Sequence, residues 1–164
     1  METLDSVNRE GRNRLSPPLT NPNWLVLRRR REIFGQWLHR LGPETLDVLD
    51  VGGRLQPYRP LIDGGVRSYV SIDLRRSPLV NIIARGEQIL LPSGRFDLVI
   101  CTQVLEYIPD PALFVGEIER VLKRAWTNSS LRSSRNTPIC YTFAMRICTT
   151  WWGSDQMRKM RGRN

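Results

Sequence analysis

Short continuous apolar runs alternate along this chain with stripes at helical spacing, and the alternation predicts an open α/β sheet. The stretch LDVLDVGG, residues 46 to 53, organises the rest: Val48, Leu49 and Val51 form the apolar centre of a buried parallel strand, and Asp50 with Gly52-Gly53 marks a sharp turn at its end. Upstream, Trp24, Leu27, Phe34, Trp37, Leu38 and Leu41 fall on one helical stripe between Pro22 and Leu41, which Gly42-Pro43 terminates. Downstream, LQPYRPLIDGG predicts one abbreviated crossover helix, and SYVSI at 68 to 72 a second strand ending in Asp73. LVNIIA at 79 to 84 predicts a third strand. Leu98 to Cys101 is apolar without alternation, as expected of a strand covered on both faces. Asp110 and Pro111 then supply a cap and first turn for a helix to about Lys123, with Phe114, Val115, Ile118, Val121 and Leu122 on one side. This order of elements indicates an incomplete Rossmann-like α/β fold, an open and mostly parallel sheet with flanking helices.

The two ends of the chain read differently. Residues 1 to 20 show no period and carry Pro17-Pro18, so a flexible lead-in is expected before a core over 21–123. After Lys123, charge, Ser/Thr content and periodicity all change, and three of the five tryptophans fall in residues 124–164. That segment is expected to be an atypical, poorly ordered basic tail produced by truncation or a shift of the coding frame near Lys123. Without a further strand the run at 97 to 102 would present an unpaired apolar edge. The competing expectation is a strand from Ile139 to Ile147, where apolar and small or polar residues alternate.

Composition narrows the function classes. A chain of 164 residues suffices for one domain with a core. No apolar run is long enough to span a bilayer, and the amino end is polar and acid-bearing, so the cytoplasm is the expected location. Cys101, Cys140 and Cys148 lack metal-ligand spacing and His39 is the single histidine, which argues against a disulfide framework or a zinc site. The net charge of +9 is concentrated after Lys123, where eight basic residues face one acid; the first 123 residues carry +2. Nucleic acid is therefore not the expected partner. The run Arg28 to Arg31 interrupts the helical stripe and reads as a solvated face, with an anionic substrate or a membrane surface as the sharper alternative.

The candidate chemistry lies at the strand ends. A glycine pair after a parallel strand lets ligand atoms approach the backbone closely. Asp73 follows Gly52 by 21 residues, near the interval at which an acid ending the second strand reaches the ribose hydroxyls of a nucleotide-like cofactor. Taken alone, Asp73 could equally be a strand-end turn residue. A dinucleotide-binding dehydrogenase is disfavoured, because bulky residues occupy both later glycine positions of G-x-G-x-x-G in the sequence after Gly52.

VLDVGG at 48 to 53, SIDL at 71 to 74, FDLVICTQVLEYIPDP at 96 to 111 and EIERVLK at 117 to 123 together resemble the class I S-adenosylmethionine-dependent methyltransferases, in particular the type 11, small-molecule branch. The resemblance spans about residues 45 to 123. It implies S-adenosyl-L-methionine as cofactor and methyl transfer to a small-molecule or saccharide acceptor, provided that the fold is completed; the alternative is a non-catalytic methyltransferase-like remnant or interaction scaffold. It assigns Asp50 and Gly52 to the turn at the methionine end, Gly53 to backbone clearance, Asp73 to the ribose hydroxyls and Leu74 to the adenine face. Gly86, Glu87, Gln88 and Ile89 would border the adenine, and Thr102 and Gln103 the methionine moiety. The sequence departs from the pattern where Arg54 and Gln56 replace glycines, where Arg85 replaces an adenine-binding acid and where Tyr107 replaces histidine. A phenol that titrates near 10 in water is a poor base at neutrality, so no catalytic residue, no metal and no oligomeric state is assigned.

Overall fold

The computed structural model describes residues 2–41, 43, 45–62 and 65–123. Its elements in chain order are α1 (Leu4–Leu15), α2 (Trp24–His39), β1 (Leu46–Val51), β2 (Val66–Asp73), β3 (Ile82–Ile83), β4 (Leu98–Cys101) and α3 (Pro111–Val121). The four strands form one sheet in the order β3-β2-β1-β4, with every pairing parallel. β1 lies between β2 and β4, and its side chains alternate between two cores. Leu49 and Val51 join Ile72, Val99, Phe114, Ile118 and Val121 beneath α3; Leu46 and Val48 join Phe34, Leu38, Tyr58, Leu98 and Ile100 beneath α2. Burial on both faces explains why the strand sequence is continuously apolar apart from its two acids. No helix among the described residues is long and apolar enough to cross a membrane.

The expected Rossmann-like sheet is present, with corrections in the connections. The crossover between β1 and β2 is a single 3-10 turn at Arg59–Leu61, too short to cover the sheet. Tyr58 fills that space instead, stacked on Phe34 of α2 with ring centroids 4.2 Å apart. The third strand is only Ile82–Ile83, because the preceding residues serve the neighbouring loops: Leu79 O accepts from the Ser71 hydroxyl and from Gln56 Nε2, and Asn81 Oδ1 accepts from Ser71 N.

The lead-in expected over residues 1–20 is instead largely helical. Thr3 and Ser6 cap α1 reciprocally, and Val7 and Gly11, one turn apart, are its buried positions. Two buried positions in twelve residues give little periodic signal, so the helix is set by its cap and by contacts distant in sequence. The arginine run of α2 has local partners. Arg28 and Arg29 both pair with Glu32, Arg28 also lies over the Trp24 ring, and Arg31 donates to the Ser16 hydroxyl.

At α3 the sequence expectation holds closely. The Asp110 side chain accepts from Ala112 N and Leu113 N, each at 3.0 Å, with Pro111 in the first turn. After α3 the chain returns beside the start of β4, where Phe96 bridges Leu122 and Lys123 N donates to Phe96 O. β4 pairs with no other strand besides β1 among the described residues. Both the expected tail and the alternative strand from Ile139 to Ile147 lie outside those residues.

At the amino ends of β1 and β4, Lys123 Nζ bridges Asp47 at 2.9 Å and Asp97 at 3.0 Å, and Arg67 and Ser68 also bond Asp47. The Lys123 ammonium first, and then the Ser68 hydroxyl, hold the Asp47 carboxyl down to about 2. A depressed carboxylate contributes stability that is present above its unfolded value near 4 and lost as pH falls through about 2. Lys123→Met should therefore cost about 1 kcal/mol at neutral pH, and the deficit relative to wild type should shrink as Asp47 protonates. Urea unfolding at several acidic pH values checks this; a deficit independent of pH would contradict it.

Candidate functional site at the carboxyl ends of the strands

Three of the strands deliver the candidate residues to one edge of the sheet. Val51 pairs with Ile72 on one side and with Cys101 on the other, so the residues that follow (Gly52, Asp73 and Thr102) leave the sheet side by side. Adjacent strands stand about 5 Å apart, and β2 to β4 therefore spans about 10 Å. The turn is fixed by two hydrogen bonds to one acceptor: Gly52 N and Gly53 N donate to Ile72 O at 2.8 and 3.2 Å. A ligand placed over Gly52 would thus have Asp73 on one flank and the residues after β4 on the other.

The two glycines serve different needs. Gly52 is exposed and has φ +78°, a left-handed conformation that side chains rarely adopt, and a Cβ there would fall 2.4 Å from Val104 Cγ2. Gly53 is buried, and its Cβ would lie 2.8 Å from both Asp50 Cγ and Asp50 O and 2.9 Å from Ser71 Cβ. The second glycine therefore makes room for protein atoms beneath the turn.

Asp50 is among those atoms. Its side chain is buried on the α2 side of β1, and Oδ2 accepts from the Tyr69 hydroxyl at 2.7 Å. Burial pushes the Asp50 carboxyl up to about 7, against the lowering effect of the Tyr69 bond and with a further rise from the nearby Asp73 charge. The Tyr69 phenol is itself pushed above its ordinary range, by burial first and then by Asp50. Arg59 lies over the Tyr69 ring at 4.8 Å and closes this cluster from outside.

The remaining residues divide between the crevice and its support. Asp73 is half-buried, with Oδ1 accepting from Arg75 N at 2.8 Å, and Leu74 beside it is 64% exposed. Thr102 is half-buried, and Gln103 is exposed with a left-handed φ of +57°, so the chain turns sharply just beyond β4. Glu87 is half-buried and Gln88 exposed, in the loop that follows β3. Gly86 is buried against the Phe114 ring. Ile89 does not present a free surface, because its side chain is in the core and its main chain is occupied. Ile89 N donates to Glu117, and Ile89 O accepts from Arg120, which also pairs with Glu117 and bonds Leu91 O. Its observed position is in the support that anchors the 85–91 loop to α3.

Val104, Tyr69 and the Glu117–Arg120 pair were not legible as parts of this region. Val104 and Tyr69 look like ordinary apolar and strand residues, and only the register of β1 with β2 and the turn after β4 bring them to Gly52 and Asp50. Glu117 and Arg120 show helical spacing, which signals a surface pair. Arg85, Arg75 and Arg76 are exposed around the ends of β2 and β3. Among the described residues no group of His, Cys, Asp and Glu could hold a metal ion.

Two substitutions probe this arrangement. An acid whose folded value is raised binds a proton that the unfolded chain has already lost, so its burial lowers stability as pH rises from about 4 to about 7. Asp50→Asn cannot ionise, and the melting temperature of the variant relative to wild type should climb across that interval; a flat difference would contradict the burial of a titrating carboxyl. Gly53→Ala meets backbone that cannot move aside, so it should destabilise the fold by about 2 kcal/mol or more in denaturant titration. A near-neutral result would show that the turn relaxes.

Residues 61–125 match the family model described as a methyltransferase domain, the type 11 model. None of the curated proteins matches the chain. Among solved structures it is similar to an S-adenosylmethionine-dependent methyltransferase from Aquifex aeolicus, with 21% identity and a TM-score of 0.46 over 65% of this chain and 64% of that one. A second, from Mesorhizobium loti, has 18% identity and a TM-score of 0.42 over 63% and 50%. The YcgJ protein from Bacillus subtilis has 18% identity and a TM-score of 0.46 over 57% and 47%. The chain thus spans between 47% and 64% of the length of these three structures. The segment 61–125 is thus similar to the type 11 methyltransferase domain.

Proposed function

We propose that this protein transfers a methyl group from S-adenosylmethionine to a small-molecule or saccharide acceptor in the cytoplasm. The observation that carries the reading is the pairing of Gly52 N with Ile72 O, which sets an open glycine turn beside the Asp73 carboxylate. The residues present suit the cofactor. Asp73 has an oxygen left to accept from ribose hydroxyls after Oδ1 has bonded Arg75 N, and Leu74 offers exposed apolar surface for an adenine ring. Gly52 is exposed at the strand end, with Val104 packed where its side chain would stand, and Thr102 and Gln103 would border the methionine portion. Glu87 and Gln88 would flank the adenine. Gly53 and Asp50 act beneath the turn and hold its shape. The departure at Arg85 removes one acceptor for the adenine amino group and leaves Leu74 as the chief adenine contact.

The cofactor supplies an electrophilic methyl on a sulfonium whose thioether departs without protonation. The protein's part is to align the acceptor and to exclude water, which needs no nucleophile of its own. Tyr107, which stands where relatives carry histidine, is 75% exposed and takes no part in this reading.

Titration of the purified chain with S-adenosylmethionine, followed by thermal shift and calorimetry, tests the proposal. Asp73→Ala should weaken binding by about tenfold or more, and Gly52→Trp should abolish it. No shift with the wild-type chain would overturn the reading. The change in composition after Lys123 favours one other possibility, a methyltransferase-like scaffold that binds the cofactor or a partner without turnover. Cofactor binding with no methyl transfer to any of a panel of sugars and small nucleophiles would support it.

A further inference from the structure

Among the described residues no crossover helix follows the glycine turn to brace it. In a parallel α/β unit the turn after the first strand normally feeds a crossover helix, whose first turn fixes the loop. Here only the 3-10 turn at Arg59–Leu61 follows. The residues directly after the glycines are held by the amino-terminal helix instead. Arg54 donates to Glu2 at 2.6 Å and to Glu10 at 3.0 Å, and its side chain is only 17% exposed. One residue on, Leu55 O lies so close to α1 that a Cβ on Gly11 would fall 2.6 Å from it. Val7, on the same face of α1 as Gly11, is fully buried. Arg54 O in turn accepts from the Ser77 hydroxyl at 3.3 Å, in the loop that begins with Leu74.

We infer that α1 is the brace of the glycine turn, and that Arg54 is a positioning residue coupling this helix to cofactor affinity. The inference rests on the cofactor reading above and extends it to residues that make no contact with the ligand. Arg54 stands where the family pattern has glycine, and its guanidinium is directed to the two glutamates of the amino-terminal segment. The coupling is electrostatic, because both glutamates are exposed carboxylates. It should weaken as salt screens them, whereas an apolar brace would not.

The test uses the full chain, S-adenosylhomocysteine as the calorimetric probe and hydrogen exchange of α1 amides without ligand as a second readout. Arg54→Ala should accelerate exchange over residues 4–15 and raise Kd about tenfold. The charge-reversed pair Arg54→Glu with Glu10→Arg should restore part of both effects, which a general loss of stability would not allow. Wild-type affinity should fall as ionic strength rises from about 0.05 M to about 0.5 M, and that of Arg54→Ala should respond less. If the variant loosens α1 yet binds the probe as wild type does, the coupling is overturned while the cofactor reading stands. If α1 exchange is unchanged in Arg54→Ala, the brace itself is overturned. A wild-type chain that binds no probe overturns the cofactor reading, and with it the coupling; α1 exchange then still decides whether the brace exists.

Discussion

Two amides donating to one carbonyl hold the working end of this protein together. Gly52 N and Gly53 N both bond Ile72 O, which closes the turn after β1 onto β2 one residue before β2 ends. This fixes the direction of the turn, the approach of Asp73 and the space above Gly52. A sheet without this junction would still bury its two cores, since Leu49, Val51 and Ile72 would pack beneath α3. It would not bring an acid and an open turn to the same place.

The turn also rests on an unfavourable element. Asp50 places a carboxyl in the α2-side core with the Tyr69 hydroxyl as its bonding partner, and a second acid, Asp73, lies close by. Burying a charge so poorly compensated is costly, and the group moves toward its neutral form in response. The arrangement is tolerated because Gly53 lets the turn pack down over the carboxyl and Ser71 without a side chain in the way. The Asp47–Lys123–Asp97 network at the opposite end of β1 shows the contrasting case, in which acids receive cations from the protein itself.

The sheet was legible in the sequence to the extent that its signals were local. The runs that became β1, β2 and β4 are apolar and bounded by turn residues, and the Asp110–Pro111 cap fixes the start of α3 through bonds spanning two and three residues. The spacing from Gly52 to Asp73 was legible for the same reason, since a short crossover returns the chain to the adjacent strand. What was lost depends on distant partners. α1 has two buried positions and a cap with serine at its third residue, where glutamate or glutamine would have been the signal. Its ties to Arg54 cross 44 and 52 residues. β3 shrank because Leu79 and Asn81 are drawn into side-chain bonds with Gln56 and Ser71, which strand propensity does not report. The family resemblance implies that Ile89 borders the adenine, and the Glu117–Arg120 pair that holds its main chain becomes visible only when α3 packs.

The seating of α1 against Arg54 and Leu55 also orders the chain's assembly. The helix is synthesised before β1, yet the surface that receives it does not exist until β1 and its turn have emerged and paired with β2. A twelve-residue helix of this composition is marginal alone in water, so it must form and dissolve repeatedly before it can dock. An element made before its own docking surface locks only after that surface has formed.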